Sequence, residues 1–124
     1  MILVDTSVWV DHLRRSNARL GELLNTGSVL VHPFVIGEIA LGWLCQRRII
    51  LAALSDLPRV RVGTHDEVLG LIERESQFGR GIGFVDAHLL VAARLTPGTT
   101  LWTLDRRLHT VADQLGLATK PSRD

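Results

Sequence analysis

Short apolar runs alternate with longer segments of helical periodicity along the chain, and this alternation constrains the fold more than any other feature. The apolar runs at 2–4, 29–31, 60–62 and 101–104 have the length and composition of buried strands. The segments between them repeat their apolar residues every three to four positions, as amphipathic helices do. The pattern therefore predicts an α/β fold with four strands and helices between them.

Helix-start and helix-stop signals divide the segments between these runs. Residues 5–7 have short polar side chains that suit a helix start, Pro33 suits a first helical turn, and 64–67 fits a capping box. We expect helices that end at Leu13, Trp43, Phe78, Leu95 and Gly116, with further short helices over 20–24 and 49–54. The helix that ends at Leu95 is headed by Asp86, and the last helix is capped by Asp105.

The length of 124 residues fits a single domain over 1–124. No apolar run is long enough to span a membrane, and Asp5 interrupts the opening run too early for a signal peptide, so we expect a cytoplasmic protein without membrane contact. The single cysteine, Cys45, excludes an internal disulfide and a thiolate zinc cluster, and its apolar neighbours predict a core position. The tail over 120–124 is expected to fray.

Arginine dominates the basic residues: 13 of the 14 are arginine, and Lys120 is the lone lysine. The planar guanidinium favours two-point contacts with phosphate, so the bias is compatible with a nucleic-acid substrate. A genome-wide codon bias is the simpler explanation and is favoured over nucleic-acid binding. Composition alone leaves the choice open.

Four carboxylates are predicted to reach one edge of the sheet. Asp5 directly follows the first strand and Asp105 directly follows the last. Asp86 stands at the start of its helix, and Glu38 lies about one turn into the helix after the second strand. Ligands in parallel α/β sheets bind at the carboxyl ends of the strands, so these side chains are candidates for one cluster.

Binding of a divalent metal ion would explain why carboxylates cluster at this edge. Clustered carboxylates repel one another unless a cation neutralises them, and an oxygen-only donor set suits Mg²⁺ or Mn²⁺ better than zinc. Glu38 is notable because its sequence neighbours Val35, Ile36, Ile39 and Ala40 are apolar, and a carboxylate buried among them would be costly. A metal-bound water could then attack a phosphodiester without a covalent nucleophile.

Structural explanations exist for each of these residues. Asp5 and Asp105 could simply cap helices, which stabilises a protein by about 0.5 to 2 kcal/mol. The histidines have no recognisable metal-ligand spacing, and His88 should point away from Asp86, so we expect them to be structural. Ser7 stands where a haloacid-dehalogenase phosphatase needs a second aspartate, and a phospho-receiver domain would need an early acidic pair and a late lysine within the fold.

The ordered motifs resemble those of PIN-domain toxins of the VapC type. They are Asp5-Thr6-Ser7-Val8-Trp9, Pro33 with Glu38, Phe84-Val85-Asp86-Ala87, and Leu101-Trp102-Thr103-Leu104-Asp105. Each motif alone is common, but the four occur in the right order and cover essentially the whole chain. The resemblance implies a PIN-like doubly wound sheet of about four to five parallel strands flanked by helices.

The resemblance also implies a function: a Mg²⁺- or Mn²⁺-dependent endoribonuclease that forms a homodimer and is neutralised by a cognate antitoxin protein. Asp5, Asp86, Glu38 and Asp105 match the family's metal-binding and catalytic acids, and Thr6, Ser7 and Thr103 match hydroxyl positions beside them. Arg80, in the glycine-spaced loop 79–83, is either a contact for RNA phosphate or part of a simple connector. A catalytically silent RNA- or protein-binding module with the same fold remains the alternative.

Overall fold

The structure of the protein is a computed structural model that describes residues 1–120, and the expectation for the tail beyond them lies outside the described residues. The strands are β1 (Ile2–Val4), β2 (Val29–Leu30) and β3 (Thr100–Trp102). The helices are α1 (Thr6–Arg15), α2 (Ala18–Asn25), α3 (Pro33–Ala40), α4 (Arg47–Ser55), α5 (His65–Arg74), α6 (Phe84–Leu95) and α7 (Arg106–Gln114). The order confirms an α/β fold.

A parallel sheet of order β2-β1-β3 forms the centre of the fold. In β1, Leu3 is opposite Leu30 of β2 and Leu101 of β3. With β1 in the middle, the carboxyl ends of all three strands meet at one edge. That edge carries Asp5 and the residues that follow Trp102.

The expectation of four to five strands is wrong for residues 1–120, where the sheet has three. The run 60–62 forms no strand: Arg59, just before it, makes an isolated bridge with Val31, and a second isolated bridge joins Leu101 to Ala118 at the opposite edge. The ladder at the first edge stops early because the Arg61 N–H donates to the Thr96 hydroxyl at 2.9 Å instead of to a strand. Each edge is therefore extended by one residue pair and not by a strand.

The core lies between this sheet and the helices around it. Leu3 and Val4 of β1 are fully buried, and α6 is buried continuously over 87–93. Its continuous burial explains why that helix is apolar on nearly all sides. A smaller apolar cluster joins α5 to α6 through Val68, Leu71, Ala87 and Val91.

Several helix ends differ from the expectations. The Thr64–Glu67 capping box is confirmed, but α5 ends at Arg74, before Phe78. Helix α3 ends at Ala40, so Trp43 lies outside it, with its side chain fully exposed. Cys45 is also exposed, so the expected core position for this thiol is wrong. The apolar residues at 41–45 thus form a surface segment.

No helix within residues 1–120 has the length and apolar character needed to cross a membrane.

Candidate metal centre

Asp5 sits at the carboxyl end of the central strand and is only 6% exposed. Its position is that of the α1 N-cap, but its side chain makes no capping bond. Instead, its Oδ2 accepts hydrogen bonds from the Ser7 hydroxyl at 2.8 Å and from the Thr103 hydroxyl at 2.7 Å. Helix capping therefore does not account for this nearly buried carboxylate, and its Oδ1 has no hydroxyl or amide donor within residues 1–120.

The two hydroxyls connect the ends of β1 and β3. The Ser7 and Thr103 hydroxyl oxygens lie 3.3 Å apart, and each also accepts a backbone N–H, from Leu104 and Asp105 respectively, at 3.0 Å. The Asp5 N–H in turn donates to the carbonyl oxygen of Trp102 at 2.9 Å. The strand ends are thus fixed to each other by side-chain and backbone bonds, which hold the Asp5 carboxylate in one orientation.

Asp86 occupies the third position of α6 and is partly buried. Its Oδ2 accepts the Gly83 N–H at 2.9 Å, which closes the first turn of the helix. Burial raises the pKa of this carboxyl, although the Gly83 N–H works in the opposite direction. The negative charges of three other residues raise the pKa further: Asp5, Asp105 and Glu38. The fold thus brings the other three sequence-predicted carboxylates within electrostatic range of Asp86.

Glu38 and Asp105 form the outer part of this group. The Thr6 hydroxyl donates to Oε1 of Glu38 at 2.6 Å, which ties α3 to the start of α1. Glu38 is exposed, so the expectation that apolar neighbours bury it is wrong. Asp105 is exposed too, and its Oδ1 accepts the Leu108 N–H at 3.0 Å, so the capping explanation holds for this residue.

The four carboxylates lie in the same region but do not converge on a common point. Within residues 1–120, no three Asp, Glu, His or Cys side chains lie close enough together to hold an ion. Oδ2 of Asp5 is bonded to Ser7 and Thr103, and Oε1 of Glu38 is bonded to Thr6, so one oxygen of each carboxylate is already engaged. The donor set still fits Mg²⁺ or Mn²⁺, since it consists of carboxylate oxygens whose mutual repulsion raises the pKa of Asp86. Side-chain rotation would be needed to bring them onto one ion.

Two arginine side chains lie at the loop that precedes α6: Arg80 belongs to the loop, and Arg107 of α7 packs against it. Arg80 donates to the side-chain oxygen of Gln114 at 2.8 Å, a neutral partner that leaves its positive charge uncompensated. Arg107 packs against Gly81, where an added Cβ would lie 2.9 Å from its Nη1. The sequence did not single out Arg107 as a neighbour of this loop. The glycine spacing does indicate an unusual backbone there, and Gly81 indeed has a φ of +78°.

The histidines near Asp86 are packed inside the fold. His32 is fully buried, and its Nδ1 accepts the Phe34 N–H at 3.0 Å. Burial, helped by the nearby His88, lowers the pKa of His32 to about 4, which keeps the ring neutral at physiological pH. Burial also lowers the pKa of His88, whose ring is 5% exposed. Both rings therefore have the environment of structural residues, as expected.

Comparison with known proteins agrees with this architecture. The family model of the PIN domain matches residues 2–114. The chain is 50% identical over 118 residues to Ribonuclease VapC32 of Mycobacterium tuberculosis strain CDC 1551 / Oshkosh, which covers 95% of each chain. The protein of the same name from strain ATCC 25618 / H37Rv gives the same values. The resemblance inferred from the four sequence motifs is confirmed.

Proposed function

The chain belongs to the PIN-domain family, and on that premise we propose that it is a metal-dependent endoribonuclease acting as the toxin of a type II toxin–antitoxin pair. One observation carries the proposal above the others: near full-length 50% identity to a protein named Ribonuclease VapC32. The electrostatic grouping of three carboxylates, those of Asp5, Asp105 and Glu38, around Asp86 supports the chemistry that such an activity requires.

In this proposal the metal ligands are Asp5, Asp86, Glu38 and Asp105. A Mg²⁺ or Mn²⁺ ion bound there would lower the pKa of a coordinated water and offset the charge of the scissile phosphate. Support comes from the raised pKa of Asp86, because burial, together with the like charges of Asp5, Asp105 and Glu38, disfavours the anion, and a divalent cation would stabilise it.

The neighbouring hydroxyls orient the ligands. Ser7 and Thr103 together fix one oxygen of Asp5, and Thr6 fixes one oxygen of Glu38. These bonds limit the directions in which the carboxylates can point and so reduce the cost of organising them around an ion. Thr6, Ser7 and Thr103 act as positioning residues in this arrangement, and they lie close enough to the acids to approach substrate.

A cluster of carboxylates repels RNA unless positive charges offset it. Arginine side chains can supply that positive charge. Arg80 is the proposed phosphate contact, since its hydrogen-bond partners are the neutral side chains of Gln114 and Gln77. Its charge therefore remains available to a phosphate. The ion pairs within residues 1–120 are Arg15 with Asp11 and Arg94 with Glu75, and neither involves a proposed ligand.

A cognate antitoxin protein and a second copy of the chain are the proposed protein partners. An exposed apolar segment supports an interaction surface: Leu41 is 90% exposed and Trp43 is fully exposed. A groove of about 460 Å³ is lined by Trp43, by other mainly apolar residues, and by the charged side chains of Arg14 and Glu38. A protein bound there would cover apolar surface and reach one of the proposed ligands.

A catalytically silent binding module of the same fold is the second candidate. The observation in its favour is that the carboxylates of residues 1–120 are not closed around a common point. A protein that uses these acids for structure alone would bind RNA or a partner without cutting it, and would show no response to divalent cations.

Cleavage of total cellular RNA separates these candidates. The native protein, Asp5→Asn and the control Asp11→Asn are each incubated with Mg²⁺ or Mn²⁺ and with EDTA. Asp11 lies on α1, the helix of Thr6 and Ser7, but pairs with Arg15, so its variant should cut normally. We expect discrete fragments from the native protein and from Asp11→Asn, only with metal. Cleavage by Asp5→Asn would contradict the assignment of ligands.

Binding of the metal can be measured without cleavage. Millimolar Mn²⁺ should raise the melting temperature of the native protein, because a ligand that binds only the folded state stabilises it. A flat response, together with intact RNA, would favour the binding module.

A further inference from the structure

A cleft of about 370 Å³ opens beside the proposed metal centre, between α1 and the segment that follows β3. Ser7 and Leu104 line the end nearest to Asp5, and the Leu104 N–H donates to the Ser7 hydroxyl at 3.0 Å. That hydroxyl also donates to Oδ2 of Asp5 at 2.8 Å. The cavity, which we call the α1 cleft, therefore begins one side chain away from a proposed metal ligand.

Arg14 lines the same cleft, two helical turns after Ser7 on α1. Residues seven positions apart lie on the same face of a helix, with a rise of about 10 Å between them. Side chains on a helix also lean toward its N-terminus, which directs the guanidinium of Arg14 back along the cleft toward Ser7. The cleft thus connects a cationic side chain to the edge of the sheet that carries Asp5.

The charges along the cleft leave Arg14 free to bind an anion. Two other charged residues line it, Asp11 and Arg15, and they form an ion pair at 2.7 Å. The second oxygen of Asp11 accepts the Asn17 amide at 3.1 Å, so this carboxylate is fully engaged. Arg14 is exposed, and its guanidinium has no hydrogen-bond or ion-pair partner among residues 1–120. Its positive charge is therefore uncompensated within the cleft.

We propose that the α1 cleft binds a backbone phosphate of the RNA strand next to the scissile one, and that Arg14 is the residue that holds it. This inference rests on the proposed ribonuclease function. A guanidinium whose donors are unused can bind two phosphate oxygens at once. The strand would then follow α1 after it leaves the acids, and the Arg14 contact would add to that of Arg80 on the loop 79–83.

A protein partner is a weaker occupant for the Arg14 side chain. Arg14 also lines the groove that contains Trp43, but that groove is mainly apolar. The opposite charge that it offers is Glu38, whose Oε1 already accepts the Thr6 hydroxyl. Helix stability is a further use, because Arg14 lies in the last turn of α1, where a positive charge favours the helix dipole. Neither use would make RNA binding depend on the charge of Arg14.

Salt titrations with a fluorescein-labelled oligouridine test the proposal, with every protein carrying Asp5→Asn to prevent cleavage. Arg14→Gln should weaken binding by about 2- to 5-fold, the range of an exposed ion pair. It should also reduce the slope of log K against log salt by about 0.7. Arg14→Lys should recover the slope, because one positive charge remains.

Arg74→Gln is the matched control for the change in net charge. Arg74 is also exposed and also lies in the last turn of its helix, α5. Its cavity is lined by Val91 and Leu95, at the end of α6 opposite to Asp86. This variant should therefore keep the slope of the protein with native Arg14.

Three results would overturn the phosphate site in the α1 cleft: an unchanged slope for Arg14→Gln, an equal change for Arg74→Gln, or no recovery of the slope by Arg14→Lys. Cleavage of total RNA by the protein with native Asp5 is measured separately. If that protein cuts RNA while Arg14→Gln keeps the full slope, the phosphate site fails and the ribonuclease stands. If the slope depends on Arg14 but nothing is cut with metal, the ribonuclease fails and the phosphate site stands.

Discussion

The hydroxyl of Thr103 donates a 2.7 Å hydrogen bond to Oδ2 of Asp5, a residue 98 positions earlier in the chain. Both residues are nearly buried, at 6% exposure. The bond therefore connects the beginning and the end of the fold at the point where the proposed metal centre lies. Charge-assisted hydrogen bonds of this length are among the stronger ones in proteins.

Replacing Thr103 with Val keeps the shape of the side chain and removes this bond. Hydrogen bonds to charged groups contribute about 1.5–3 kcal/mol, so we expect the free energy of unfolding to fall by about that amount, with a loss of cleavage activity. Urea denaturation measures the first effect. Thr110→Val is the control, since the Thr110 hydroxyl is exposed and bonds only the Arg106 carbonyl. Equal stability of the two variants would contradict the importance of the Asp5 bond.

Replacing Asp86 with Asn should stabilise the metal-free protein at neutral pH. The raised pKa of Asp86 means that the folded state binds a proton more tightly than the unfolded state does. Stability contributed by this group is therefore lost as pH rises through the folded pKa, and the full penalty applies above it. Asn carries no charge and keeps an oxygen that can accept the Gly83 N–H.

Melting temperatures in EDTA across the acid range measure this effect. The advantage of Asp86→Asn should be greatest at neutral pH and should disappear as pH falls below the ordinary pKa of aspartate. An advantage that persists unchanged in acid would have another cause than the charge of Asp86. The same variant should lose most of the stabilisation by Mn²⁺.

Replacing Gly81 with Ala should disturb Arg107. Gly81 and Gly79 both have positive φ values, +78° and +71°, so alanine strains the backbone at either position by about 1–3 kcal/mol. Only at Gly81 does the new Cβ meet Arg107, whereas at Gly79 nothing lies within 4 Å. Because Arg107 packs against the loop that carries Arg80, we propose it as a second phosphate contact, and the Gly81 variant should then bind RNA more weakly than the Gly79 variant at comparable stability. Equal RNA affinity would mean that Arg107 is not a substrate contact.

Replacing Arg80 with Gln should change the salt dependence of RNA binding. Each phosphate contact releases counterions, and losing one should reduce the slope of log K against log salt by about 0.7 for a single strand. Arg15→Gln serves as the control, because Arg15 is already paired with Asp11. Titrations of the uncleaved complex at several salt concentrations give both slopes. Identical slopes for the native protein and Arg80→Gln would remove Arg80 from the RNA contacts.

The carboxyl end of β1 and the place of Asp5 follow from sequence, because a buried strand followed by an acidic residue has a local signature, and Asp86 is marked by the long apolar run of the helix in which it lies. The exposure of Glu38 does not follow from its sequence neighbours. Its immediate neighbours in sequence are apolar, but side chains on a helix share a face at spacings of three and four residues. Val35 and Ile39 accordingly point into the core, while Glu38 and Phe34 share the exposed side.

The failed strand at 60–62 also has a cause that is distant in sequence. Gly63 approaches α6 so closely that an added Cβ would lie 2.5 Å from Cγ1 of Val91. The chain therefore leaves the sheet edge to pack on a helix that begins 21 positions later.

Helix α6 is buried without interruption over 87–93. Backbone segments of this kind rarely open by themselves, and their amide protons exchange with solvent mainly when the whole domain unfolds. Asp86 directly precedes this segment, whereas Glu38 and Asp105 lie on exposed surfaces. Asp86 is therefore held in position, whereas local fluctuations can move the carboxylates of Glu38 and Asp105 toward a ligand.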